Sequence, residues 1–94
     1  MKYAFAPEFL TKLPKLNVRV RNAFKVQLVI FSHNHNTPQL NNHPLRDPYL
    51  GFNSINVTND YRAIYREMVI QEEPVAYFVD IDTHEALYGS KQAA

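Results

Sequence analysis

Three features of this sequence predict an α+β fold, with helices gathered on one face of an antiparallel sheet. Gly51 to Thr58, Tyr61 to Met68 and Val75 to Asp82 are apolar-rich runs separated by short polar turns, the pattern of a β-meander. Ahead of them, Leu16, Val20, Phe24, Leu28 and Phe31 recur at helical spacing over a span too long for one strand. After them, Asp82 to Gly89 turns polar and closes on glycine, which reads as a short terminal helical turn. The expected order is an N-terminal strand, two helices, three meander strands and that turn.

Each element has a local reason. Lys2 to Phe5 alternates, with Tyr3 and Phe5 on one side. Ala6-Pro7-Glu8 opens a helix with proline in the tolerated first turn, and Pro14 interrupts it. Residues from Lys15 to about Ser32 form the second helix, amphipathic and packed on the sheet. His33 to Leu50 carries His33, His35 and His43 among prolines and asparagines without periodicity, so a surface loop is expected. Asn59-Asp60 supplies turn residues. On the strand that follows, Tyr61, Ala63 and Tyr65 share one face and Arg62, Ile64 and Arg66 the other. Gln71 to Pro74 turns into the last strand. Asp82 is placed to cap a turn over Thr83 to Tyr88, where His84 and Tyr88, four apart, share a face. An imidazole and a phenol would then stand together at the end of the sheet.

The 94 residues are enough for one domain, expected over 1–94. An apolar fraction of 46% and a charged fraction of 20% argue for a folded chain. The absence of cysteine excludes disulfides and thiolate metal sites. No apolar run approaches the ~20 residues a membrane helix needs, and the N-terminus does not read as a signal peptide, so a cytoplasmic protein is expected. The net charge is +1, but Lys12, Lys15, Arg19, Arg21 and Lys25 load the first third and Glu67, Glu72, Glu73, Asp80, Asp82 and Glu85 the last. A basic flank facing RNA or an acidic partner fits this, as does an ordinary solvated helix face. His33-Asn34-His35 with His43 is a poor template for a closed zinc site, and neither a metal nor a cofactor is expected.

Four segments in order carry a family resemblance: Asn42-His43-Pro44-Leu45; Gly51-Phe52-Asn53-Ser54-Ile55; Asn59-Asp60-Tyr61-Arg62-Ala63-Ile64-Tyr65; and Asp82 to Gly89. Together they resemble the RelE/ParE toxin superfamily, and within it the YafQ-like branch of type II toxin–antitoxin mRNA interferases. The resemblance implies a RelE-like fold, a toxin held inactive by a cognate antitoxin, and an endoribonuclease that cuts mRNA on the 70S ribosome. A non-nucleolytic member of the same fold is the alternative, either a ParE-like gyrase inhibitor or an inactive toxin that only binds its antitoxin.

Metal-free RNA cleavage needs a base for the 2′-hydroxyl proton, an acid for the leaving 5′-oxygen and cationic donors for the phosphate. By resemblance, His84 and His43 are the proton-transfer residues, Asp60 orients a histidine and Arg62 binds the scissile phosphate. Tyr88 is the terminal aromatic on which an mRNA base could stack. Each has a plainer role: a turn cap for His84, a backbone-satisfied loop residue for His43 and a turn former for Asp60. Arg62 could simply face solvent, and Tyr88 could simply pack beneath the last turn. Asn56 stands where the YafQ-like pattern often has a further histidine, and asparagine cannot act as a base near neutral pH.

Overall fold

A computed structural model describes residues 1–89; residues 90–94 of the expected domain lie outside the described residues. Its elements are β1 (Lys2–Phe5), α1 (Pro7–Lys12, followed by a 3₁₀ turn Leu13–Lys15), α2 (Val18–His33), β2 (His43–Pro44), β3 (Asn53–Asn56), β4 (Tyr61–Ile70), β5 (Glu73–Thr83) and α3 (His84–Tyr88). The strands form one sheet in the order β1-β5-β4-β3-β2. Strands β2 to β5 pair antiparallel in sequence order, and β1 lies parallel to β5, with Lys2 opposite Val75 and Phe5 opposite Phe78.

The expected order holds, with differences that have physical causes. Strand β2 lies inside the stretch read as loop. Only His43 and Pro44 pair, opposite Ser54 and Asn53, too few residues for a periodic signal. A 3₁₀ turn, Pro38–Leu40, precedes it and anchors the loop through buried Leu40. Strand β3 is shorter than its apolar run because the Thr58 hydroxyl accepts from the Asp60 and Tyr61 N–H groups, folding the chain back directly after Val57. The β4–β5 turn shrinks to Gln71 and Glu72, both at positive φ (52° and 67°), as a two-residue hairpin connection requires. Pro74 is accommodated in β5 because β1 begins to pair only at Val75, so no partner there needs its missing N–H.

The ladder between β4 and β5 slips once. Ile64 faces Asp80 and Tyr65 faces Phe78, which leaves Val79 as an extra, bulged residue. The bulge turns Phe78 and Ile81, three apart, to the same side, where they join the main core with Phe9, Phe24, Phe31, Ile55 and Tyr65. Phe78 is the hub of this core, with the rings of Phe5, Phe9, Phe24, Phe31 and Tyr65 at 5.2–6.1 Å from its own. A second, smaller cluster of Leu45, Ile64, Leu87 and Tyr88 forms under α3, with Tyr49, Phe52 and Val79 against it. Val79 packs on both clusters.

Helix α2 starts at Asn17, whose side chain accepts from the Arg19 N–H at 2.8 Å. At α3 the expectation of an Asp82 cap is corrected. Strand β5 continues through Thr83, and it is the Thr83 hydroxyl that accepts from the Ala86 N–H at 3.1 Å. Asp82 is drawn away by Lys12, whose ammonium lies 2.7 Å from Asp82 and 2.8 Å from Asp80, tying α1 to the end of β5. Partial burial works to raise the Asp82 pKa, but the Lys12 ammonium and the Thr83 N–H outweigh it and hold the carboxyl below its ordinary value. Burial likewise works to lower the Lys12 pKa, and the two carboxylates reverse this, leaving it above the usual 10.5.

Two measurements check this arrangement. The depressed Asp82 contributes stability above the unfolded carboxylate pKa of about 3.9, lost as pH falls through the lower folded value. The raised Lys12 contributes below the ordinary lysine value of 10.5, lost as pH rises through the folded one. Lys12→Met should therefore cost on the order of 1 kcal/mol between these limits, with the difference from wild type fading at both ends in urea unfolding across pH. Thr83→Ala should cost about 1 kcal/mol and strip hydrogen-exchange protection from α3 before the main core.

Candidate active site

The sheet has two faces, and alternation assigns its polar residues between them. Ile55, Val57, Ala63 and Tyr65 point to the α1–α2 side. Their neighbours Ser54, Asn56, Arg62 and Ile64 therefore point to the α3 side. His43 is the cross-strand partner of Ser54, and Arg62 is paired with Asn56 on one side and Asp82 on the other. The predicted site residues on the strands thus converge on the face that α3 covers.

His84 and Tyr88 meet as their spacing requires, with ring centroids 4.7 Å apart and planes at 69°. Asp60 is brought to His84 through the backbone: its carbonyl accepts the His84 N–H at 2.7 Å, docking the first residue of α3 on the β3–β4 turn. The Asp60 carboxylate itself is exposed and makes no hydrogen bond or ion pair among the described residues. Asp60, Thr83, His84 and Glu85 line a depression of about 380 Å³. A second depression, lined by Asn17, Arg19, Thr58 and Tyr61 among others, shares Asp60 with the first. A larger one at the far edge of the sheet, around Met1, Lys2, Ser32 and Glu73, is less suited to chemistry because its Lys2 and Glu73 are paired with each other.

Arg62 is partly committed. Its Nη1 donates to the carbonyls of Thr58, Asn59 and Tyr61 at 2.8, 3.1 and 3.0 Å, which braces the β3–β4 turn. Its remaining nitrogens carry no hydrogen bond within the described residues. His43 donates Nδ1–H to the Asn41 carbonyl at 2.7 Å, so the neutral ring carries its lone pair on Nε2. Asn41 sits at φ 48°, and Asn42 bonds the Tyr65 hydroxyl at 2.7 Å, so the loop bearing His43 is latched to the main core. Gln27 of α2 adds a second latch, donating to the Asn56 carbonyl and accepting from Gln39.

Tyr88 departs from expectation. Only 6% of it is exposed, with His84 against its ring and Tyr49 perpendicular to it at 5.8 Å. Its ring is a wall behind His84, not an open platform for a base. Burial holds its phenol above the ordinary tyrosine pKa, against the opposing influence of the Ser54 hydroxyl and the Arg62 charge. His33 and His35 do not join the site: His33 bonds the Val29 carbonyl, and His35 packs on Phe31. Among the described residues no cluster of three His, Asp or Glu side chains is assembled to hold a metal ion, and no helix is long and apolar enough to cross a membrane.

Sequence reasoning missed Ser54. It is fully buried, yet its hydroxyl has no partner within hydrogen-bonding geometry. Among the described residues the same is true of three other buried polar atoms, His43 Nε2, Asn56 Oδ1 and Tyr88 Oη, and all four belong to this face. Native interiors seldom leave such atoms unsatisfied, so their concentration here marks the face as built for polar contacts. The available signal was a serine and an asparagine alternating with Ile55 and Val57 on one strand.

No family model and no curated protein matches this sequence. Solved structures do match. YafQ from Escherichia coli superposes with a TM-score of 0.71 at 20% identity, covering 94% of this chain and 98% of that one. The YoeB/ParE toxin from Agrobacterium tumefaciens gives 0.70 at 14% identity, covering 89% and 99%. The RelBE2 toxin–antitoxin complex from Mycobacterium tuberculosis gives 0.60 at 24% identity, covering 88% and 96%. The chain has the RelE-like fold, the fold of the YafQ, YoeB/ParE and RelBE toxins.

Proposed function

We propose that this protein is the toxin of a type II toxin–antitoxin system and acts in the cytoplasm as a ribosome-dependent mRNA endoribonuclease. The observation that carries the reading is His84, set against Tyr88 and docked on Asp60 at the rim of a depression the size of a small-ligand pocket. Imidazole is the side chain best suited to proton transfer in metal-free RNA cleavage.

In this reading His84 accepts the proton of the 2′-hydroxyl and the freed oxygen attacks the adjacent phosphorus. The 5′-oxygen leaves with a proton from water, because His43, to which the resemblance assigns the acid, has its Nδ1 pinned to Asn41 and its Nε2 buried out of a substrate's reach. The products are a 2′,3′-cyclic phosphate and a 5′-hydroxyl. The uncommitted nitrogens of Arg62 stabilise the charge that builds on the phosphorane. Asp60 holds His84 by its carbonyl and leaves its carboxylate free to orient the ring. Tyr88 fixes the ring from behind. The second depression, meeting the first at Asp60 and bordered by Arg19, offers the neighbouring nucleotides a path along the protein. An antitoxin is the expected protein partner, since RelBE2, similar in fold, is a toxin–antitoxin complex.

Asn56, where the YafQ-like pattern often has a histidine, and the modest net charge of +1 favour a second reading, a gyrase-binding or inactive toxin. Expression separates the two. Rapid translation arrest with cut ribosome-bound mRNA supports the nuclease; filamentation with a DNA-damage response, or no phenotype, supports the other. Within the nuclease reading, His84→Ala should reduce cleavage at least 100-fold, and an unimpaired variant would contradict the assignment. Asn56→His should leave activity intact or raise it, measured as the cleavage rate at saturating ribosome concentration.

A further inference from the structure

Two of the four unsatisfied polar atoms are on His43 and Tyr88, which the resemblance places in the site, and the other two are on Ser54 and Asn56. Ser54 is the more constrained. It is fully buried in the middle of β3, and its cross-strand partner on β2 is His43. Cross-strand partners place their Cβ atoms about 5 Å apart, within reach of one hydroxyl bridging to a ring nitrogen. On its other side Ser54 is the cross-strand partner of Ile64, which packs with Tyr88 in the cluster under α3. Tyr88 in turn touches His84.

We propose that Ser54 is a positioning residue whose buried hydroxyl links His43 Nε2 to the Tyr88 hydroxyl, so that the two histidines of the site are set by one hydrogen-bonded chain. The inference rests on the nuclease reading for its catalytic consequence, but not for the linkage itself. The polarity follows from the donors available. In the neutral ring Nε2 can only accept, because Nδ1–H is given to Asn41. Ser54 therefore donates to Nε2 and accepts from the Tyr88 phenol. When His43 is protonated, Nε2–H donates and the chain reverses: Ser54 accepts from the ring and donates to Tyr88. A hydroxyl serves both states because it is donor and acceptor at once. Alanine can serve neither, and threonine can serve both. Tyr88 is thereby oriented in either state, and its ring keeps His84 at the depression.

The titratable and charged groups around Tyr88 are His84 on its own helix, Arg62 from β4 and Tyr49 from the loop before β3. The test separates His43 from these. In a His84→Gln background, NMR titration from about pH 5 to 8, the window in which histidine ionises, should show the Tyr88 ring carbons shifting with the midpoint of His43. Ser54→Ala should abolish that coupled shift, and Ser54→Thr should retain it. In the otherwise wild-type protein, Ser54→Ala should lower kcat for ribosome-bound mRNA about 10-fold with KM unchanged, and Ser54→Thr should recover most of the loss. A Tyr88 response that persists in Ser54→Ala, or that is absent from the parent and from a well-folded Ser54→Thr, overturns the proposal. If the coupled shift behaves as stated but no form of the protein cuts RNA, the linkage stands and the nuclease reading falls.

Discussion

The face that carries the candidate site depends on the burial of Leu87 and Tyr88. Helix α3 has five residues, far too few to hold its shape in water unaided. It persists because those two side chains close the small apolar cluster over Ile64 and Leu45, because Thr83 caps its start, and because the Asp60 carbonyl receives its first N–H. Among the described residues His84 has no anchor beyond these. Its position is a by-product of apolar packing a turn away, so a change in the second cluster would be felt first as a displaced imidazole.

That cluster is small because the sheet serves two unequal faces. The α1–α2 side takes the large aromatic core around Phe78, and the bulge at Val79 makes this possible by turning both Phe78 and Ile81 towards the helices. Among the described residues the other side receives only α3 and the loop through Leu45, Tyr49 and Phe52. What remains of that face is polar: Ser54, Asn56, Arg62 and the ring of His43. A fold of this size supplies stability on one side and leaves the other open to polar contacts. The two are joined by Val79, by Gln27, which accepts from Gln39 of the His43 loop, and by Tyr65, which bonds Asn42 of the same loop.

Much of this was legible from residue order. Alternation around Ala63 and Tyr65 separated the two faces of β4, the helical spacing from Leu16 to Phe31 anticipated α2, and the i, i+4 spacing of His84 and Tyr88 anticipated their contact. What escaped depended on distant partners. Strand β2 exists only because Ser54 and Asn53 pair with it. Thr83 rather than Asp82 caps α3 because Lys12, far away in the chain, engages Asp82. Arg62 reads as a free cation until the turn carbonyls that bind its Nη1 are in place. Tyr88 looks like an exposed terminal aromatic until Leu45 and Tyr49 fold over it. Ser54 is a small polar residue of no evident purpose until His43 and Tyr88 arrive from opposite directions.

In the proposed reaction an imidazole on α3 activates a 2′-hydroxyl against the neighbouring phosphate. The chemistry of the cut ends tests this most directly. Purified protein, freed of any antitoxin and incubated with mRNA on ribosomes, should leave 2′,3′-cyclic phosphate and 5′-hydroxyl termini. Fragments ending in 3′-hydroxyl and 5′-phosphate, or RNA that stays whole, would contradict it.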